Sequence, residues 1–112
     1  MIRTTSIPDF VRSMPEADLP FEGVHGWVLQ GAKQQVVFLE FTEDVEVPEH
    51  AHREQWELVL RGNVTLQRNG EATRFGPGES FFIPAGVPHS ASVEAGYQAM
   101  IVFNEAERYR TR

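Results

Sequence analysis

From Val24 onward, short apolar runs are interrupted at close intervals by glycine, proline and asparagine. No stretch has the length and period of a long amphipathic helix. Such a chain buries its apolar groups by stacking or curling short strands, which predicts an all-β sandwich or barrel. Strands are predicted over residues 24–30, 35–42, 55–60, 64–68, 73–75, 80–83 and 97–103. Arg61-Gly62-Asn63 reads as a tight reversal, because Gly and Asn tolerate positive φ. Asn69-Gly70 is a stronger hairpin signal, being a pair that type I′ turns favour. Gly76-Pro77-Gly78 and Pro84-Ala85-Gly86 mark two more turns. Along residues 55–60, alternation sends Trp56, Leu58 and Leu60 to one face and Gln55, Glu57 and Val59 to the other. A polar pair on an inward face is what a site at the mouth of a barrel requires.

A chain of 112 residues suits one domain with one core. Pro8, Pro15 and Pro20 break up the beginning, where residues 9–14 have room for a turn or two of helix. Residues 1–23 therefore read as an irregular N-terminal segment, and residues 24–112 as the barrel domain. Small barrels expose sheet edges and apolar faces, so a homodimer is expected, with residues 2–10 suited to exchange as an edge strand. The net charge of −6 argues against a nucleic-acid groove and against an anionic membrane surface. Arg108, Arg110 and Arg112 form the only basic cluster and read as a solvated tail. With no cysteine, neither disulfides nor thiolate metal sites can form. No segment looks like a signal peptide or a membrane-spanning helix, so a cytoplasmic protein is expected.

Three of the four histidines fall in two short segments, His50-Ala51-His52 and Pro84-Ala85-Gly86-Val87-Pro88-His89. If residues 49–53 are extended, His50 and His52 point to one face. A third imidazole brought over by another strand then completes a facial metal site. Gln55 opens the next strand and can offer its amide oxygen. Pro84, Gly86 and Pro88 stiffen the backbone that presents His89. The fourth histidine, His25, reads as a satisfied structural group. Trp27, Trp56, Phe81, Phe82, Phe103 and Met100 read mostly as core.

In these residues the chain resembles the cupin family of small jelly-roll β-barrels. The family's first motif is Gly, five residues, His-x-His, three or four residues, Glu, six residues, Gly. His50-Ala51-His52 and Gly62 match it, and the position six residues before Gly62 is Gln55. The second motif is Gly, five residues, Pro-x-Gly, two residues, His, three residues, Asn. Gly78, Pro84, Gly86 and His89 match at those spacings. The chain departs from the pattern at four points. Asp44 stands at the leading Gly, Gln55 replaces Glu, the His52–Gln55 interval is short, and Val93 stands at the final Asn. Cupins resembling the group that acts on unsaturated uronates also carry Gln at the Glu position.

The resemblance spans about residues 35–103. It implies a jelly-roll barrel holding one divalent transition metal ion: manganese, iron, nickel, zinc, cobalt or copper. The implied ligands are His50, His52, His89 and Gln55, with Glu54 as the rival to Gln55. Such ligands carry no charge, so the cation keeps its own and favours a nearby carboxylate. Glu57 shares a strand face with Gln55 and is the candidate catalytic residue. It could bind the cation, orient a water or act as general base, or else be a rim carboxylate paired with Arg61. The family's chemistry implies an enzyme acting on a small polar molecule. That means isomerase or lyase chemistry on a keto-sugar, uronate or oxo-acid, or a dioxygenase. The alternative is a non-catalytic module that binds or senses a small ligand.

Overall fold

The computed structural model describes residues 7–112. In order they form a short helix α1 (Asp9–Arg12) and nine strands: β1 (Val24–Gln30), β2 (Gln35–Phe41), β3 (Val45–His50), β4 (Gln55–Arg61), β5 (Val64–Arg68), β6 (Glu71–Phe75), β7 (Ser80–Ile83), β8 (His89–Val93) and β9 (Gln98–Phe103). Two antiparallel sheets result, ordered β1-β2-β9-β4-β7 and β3-β8-β5-β6. The pairs β2–β9, β3–β8, β4–β7 and β5–β6 nest one inside another. This is the winding of a jelly roll, as the sequence predicts. Val37, Val59, Ile83, Ala99 and Phe103 fill the space between the sheets. The predicted hairpin turn forms with positive φ at both Asn69 and Gly70.

Two strands were not predicted as separate elements. β3 reads Val-Glu-Val-Pro-Glu-His, with a proline that argues against a regular strand. It pairs with β8 nonetheless, and its register slips between Val47 and His50, around Pro48. A bulge is one of the few places where a sheet tolerates proline. β8, His-Ser-Ala-Ser-Val, is built mostly of small side chains and carries no strong strand signal.

The aromatic assignments need correction at two positions. Trp56 is 39% exposed and Phe82 50% exposed. They are paired across β4 and β7 on the outer face of the five-stranded sheet. Leu29 and Leu60 are also exposed. Trp27 on β1 is buried, as expected, because Ile7 and Val11 of the N-terminal segment pack over it. Arg12 lies 5.0 Å from its ring centroid and pairs with Glu40 at 2.6 Å. Most of the segment expected to exchange, residues 2–6, lies outside the described residues.

Beyond β9 the chain stays bound to the fold, unlike the solvated tail expected there. The Asn104 N–H donates to the Glu54 carbonyl (3.0 Å), and the Tyr109 N–H to Gln35 Oε1 (3.0 Å). The Asp18 N–H donates to the Arg110 carbonyl (2.7 Å), and the Arg112 N–H to the Glu16 carbonyl (2.9 Å). Residues 104–112 thus form a strap. Arg110 and Arg112 are exposed on it, while Arg108 is half-buried.

Candidate metal centre

β3 ends where β8 begins, and the two end residues, His50 and His89, are register partners. Their ring centroids lie 4.3 Å apart. His52 stands 5.2 Å from His50 and 4.9 Å from His89 by the same measure. The geometry that brings His52 in differs from the expected one. β3 stops at His50, so residues 49–53 are not one extended strand. Instead the Gly86 N–H donates to the His52 carbonyl (2.9 Å), tying that loop to the turn that presents His89. The three ring-nitrogen ligand atoms all lie within 4.8 Å of one another.

Hydrogen bonding sets the tautomer of each ring. His50 Nδ1 bonds the Pro48 carbonyl (2.9 Å), His52 Nδ1 the Arg53 carbonyl, at 2.6 Å, and His89 Nδ1 the Val87 carbonyl (2.9 Å). A carbonyl only accepts, so each Nδ1 carries the proton and each Nε2 keeps its lone pair. His52 Nε2 is buried with no hydrogen-bond partner among the described residues. A buried unpartnered lone pair beside the imidazoles of His50 and His89 fits a divalent cation. Burial holds His89 down to about 4, aided by the charges of His50, His52 and Arg108. Burial also lowers His52, with Arg108 adding to the effect. Both rings are therefore neutral near pH 7, the form that ligates metal.

The inward face of β4 supplies the rest of the polar layer. Gln55 and Glu57 are both buried, as the alternation along this strand predicts. Gln55 Nε2 donates to Glu57 Oε1 (3.1 Å), which leaves the amide oxygen as the free end. The Tyr97 hydroxyl donates to Glu57 Oε2 in a short hydrogen bond. Burial pushes the Glu57 carboxyl up to about 7, against the opposing effect of its Tyr97 and Gln55 hydrogen bonds. Burial and the Glu57 charge likewise push the Tyr97 phenol up. Glu57 is thus an interior group, not a rim carboxylate.

A cavity of about 90 Å³ joins these groups, lined by His50, Gln55, Glu57, His89, Tyr97 and Arg108 among mostly apolar walls. Glu54, the rival ligand, is committed elsewhere, since its carboxylate accepts a short hydrogen bond from Asn104 Nδ2. His25 is exposed on β1, not a buried structural histidine. Sequence reasoning missed Tyr97 and Arg108. Tyr97 was within reach, because it lies an even number of residues from inward-facing Ala99, Ile101 and Phe103. Arg108 follows the last strand in a stretch with no periodicity to read.

Residues 36–103 match the family described as the Cupin domain. This chain belongs to the cupin family. Solved cupins share its fold closely. An RmlC-like cupin from Shewanella frigidimarina superposes with a TM-score of 0.75 at 25% identity, over 87% of this chain and 88% of that one. KdgF from Halomonas sp. gives 0.71 at 21% identity, over 82% and 86%. Bacillus subtilis oxalate decarboxylase, which has Mn(II) centres, gives 0.68 at 15% identity, over 87% of this chain and 29% of that one. No curated protein sequence matches significantly. In this cupin barrel His50, His52 and His89 are positioned for a metal.

The buried acid makes the metal-free barrel sensitive to pH. Glu57 titrates near 7 when folded, against an ordinary 4.5. A raised carboxyl favours the protonated fold, so its contribution is full below 4.5 and is lost as pH rises through 7. His52 and His89 act oppositely, and their contribution is lost as pH falls below 6.5. Glu57→Gln should therefore melt progressively higher, relative to wild type, between pH 5 and pH 8. A melting-temperature difference that stays constant over this range would contradict the assignment.

Proposed function

We propose that this chain is a cytoplasmic, metal-dependent cupin enzyme acting on a small polar molecule. The reaction is an isomerisation or lyase-type step on a keto-sugar, uronate or oxo-acid, with Glu57 moving the proton. One observation carries this reading. Glu57 is a buried carboxyl that desolvation pushes up to about 7, and it lines the same cavity as His50 and His89. A group tuned to the ambient pH is the most effective general acid–base.

His50, His52 and His89 would hold the cation through Nε2, with the Gln55 amide oxygen as fourth donor. Bound there, a divalent ion supplies Lewis acidity toward a carbonyl or enediolate oxygen. In the isomerisation Glu57 would take the proton from the hydroxyl-bearing carbon beside the carbonyl and return it to the former carbonyl carbon, while the hydroxyl proton passes from its own oxygen to the carbonyl oxygen. Tyr97 and Gln55 keep the carboxylate oriented throughout, and the apolar walls keep bulk water from competing for it. Manganese, iron, cobalt, nickel, copper and zinc all suit such a nitrogen and oxygen set. The manganese of the structurally similar oxalate decarboxylase makes manganese the first to load. The second reading, a binding or sensing module, is favoured by the mostly apolar walls of the cavity.

The test is turnover of uronates, keto-sugars and oxo-acids by metal-loaded protein, with and without dioxygen. Glu57→Gln is expected to lower turnover by about 10²–10⁴-fold while metal content is unchanged. Full turnover in that variant would contradict the assignment. Turnover only in dioxygen would move the reading to a dioxygenase. Ligand binding without turnover in wild type would favour the binding module.

We also propose a homodimer that covers the outer face of the five-stranded sheet. Trp56, Leu60 and Phe82 are 39–50% exposed there on adjoining strands. Apolar surface of this kind commonly marks an interface. Light scattering at micromolar concentration should give twice the chain mass for wild type and the single-chain mass for a Trp56→Glu/Phe82→Glu variant. A monomeric wild type would rule the dimer out.

A further inference from the structure

Arg108 is a charged group of the cavity that the metal site leaves unexplained. It lines the same cavity as His50, Gln55 and His89. Its guanidinium carbon lies 4.4 Å from the Tyr109 ring centroid and 5.5 Å from that of Phe103. Phe103 in turn packs against His52, with ring centroids 5.6 Å apart. Arg108 Nε is buried and has no hydrogen-bond partner, and no carboxylate pairs with Arg108 among the described residues. Glu105, on the same strap, has a buried unpartnered Oε1 of its own, yet the two do not form an ion pair.

A half-buried cation without an anion is costly, and cations so placed are normally paired. Two aromatic rings hold the guanidinium carbon, and the in-plane edge of the group carries its N–H donors. That edge matches the two oxygens of a carboxylate. The group is also held in place beforehand. Gln35 Nε2 donates to the Tyr109 carbonyl (3.0 Å) and Gln30 Nε2 to the Ala106 carbonyl (2.6 Å), fixing the strap on both sides of Arg108. Fixing a binding group in advance lowers the entropy lost when the ligand docks.

We propose that Arg108 is the carboxylate-binding residue of this site, docking the acid group of a small carboxylate whose remaining oxygens reach toward the histidine triad. This rests on the reading of the cavity as a ligand site. It narrows that reading to oxo-acids and uronates and excludes neutral keto-sugars. Arg108 is then a specificity-determining residue, carried on a strap outside the barrel strands.

The test is calorimetric titration with pyruvate, and with its uncharged methyl ester, on both metal-free and metal-loaded protein. Wild type is expected to bind pyruvate at least about tenfold more tightly than methyl pyruvate. Arg108→Gln should lose that preference while metal content and melting temperature stay near wild type. Arg108→Lys keeps the charge without the planar fork and should recover part of the preference. Equal binding of pyruvate by wild type and a folded Arg108→Gln would overturn the proposal. So would a drop in stability shared by Arg108→Gln and Glu105→Gln with no change in binding, which would make the two a structural pair. Loss of metal binding with the pyruvate preference intact would instead count against the metal reading, so the two claims fail separately.

Discussion

Each imidazole of the triad commits its Nδ1–H to a carbonyl within two residues of it in the chain, those of Pro48, Arg53 and Val87. These local bonds fix ring orientation and tautomer together, so three lone pairs converge without any long-range side-chain network. They also limit the permitted backbone. The carbonyls must be turned toward the rings, which is where the β3 bulge, the loop after His50 and the proline-rich turn before His89 do their part. The β3–β8 pairing then sets the distance between two of the rings, and the Gly86 to His52 hydrogen bond draws in the third.

The polar groups around this cluster are buried, and they respond to burial in opposite ways. Desolvation pushes His52 and His89 toward the neutral form and Glu57 toward the protonated form. Both shifts lower the charge buried in the metal-free protein. A bound cation reverses the balance, since it favours an ionised carboxylate nearby. Glu57 lines this cavity, and Tyr97 and Gln55 each donate a hydrogen bond to its carboxylate. Arg108 adds a cationic group to the same cavity, with its guanidinium carbon over the Tyr109 ring.

Where side-chain alternation and turn chemistry act alone, the fold is legible in the sequence. Gln55 and Glu57 face inward as the β4 pattern requires, and Asn69-Gly70 makes its turn. The histidine spacing also leads to the right cluster, although strand parity is the wrong reason for His52. Trp56 shows how two signals compete. Alternation puts it opposite Gln55 and Glu57, whereas its apolar character suggests core. The sheet obeys the alternation and leaves the ring partly exposed. The extents of β3 and β8 are hard to read because a proline and a run of small residues mask strands whose pairing is tertiary. Arg108 is harder still. Its position depends on hydrogen bonds from Gln30 and Gln35, more than seventy residues earlier in the chain.

The central claim is that three Nε2 lone pairs form one metal site. Elemental mass spectrometry of the protein loaded with each candidate ion and then dialysed tests it most directly, alongside His50→Ala and His89→Ala. The account predicts about one equivalent of a divalent transition metal in wild type and its loss from both folded variants. No retained metal with any candidate ion, or equal retention in the variants, would contradict it.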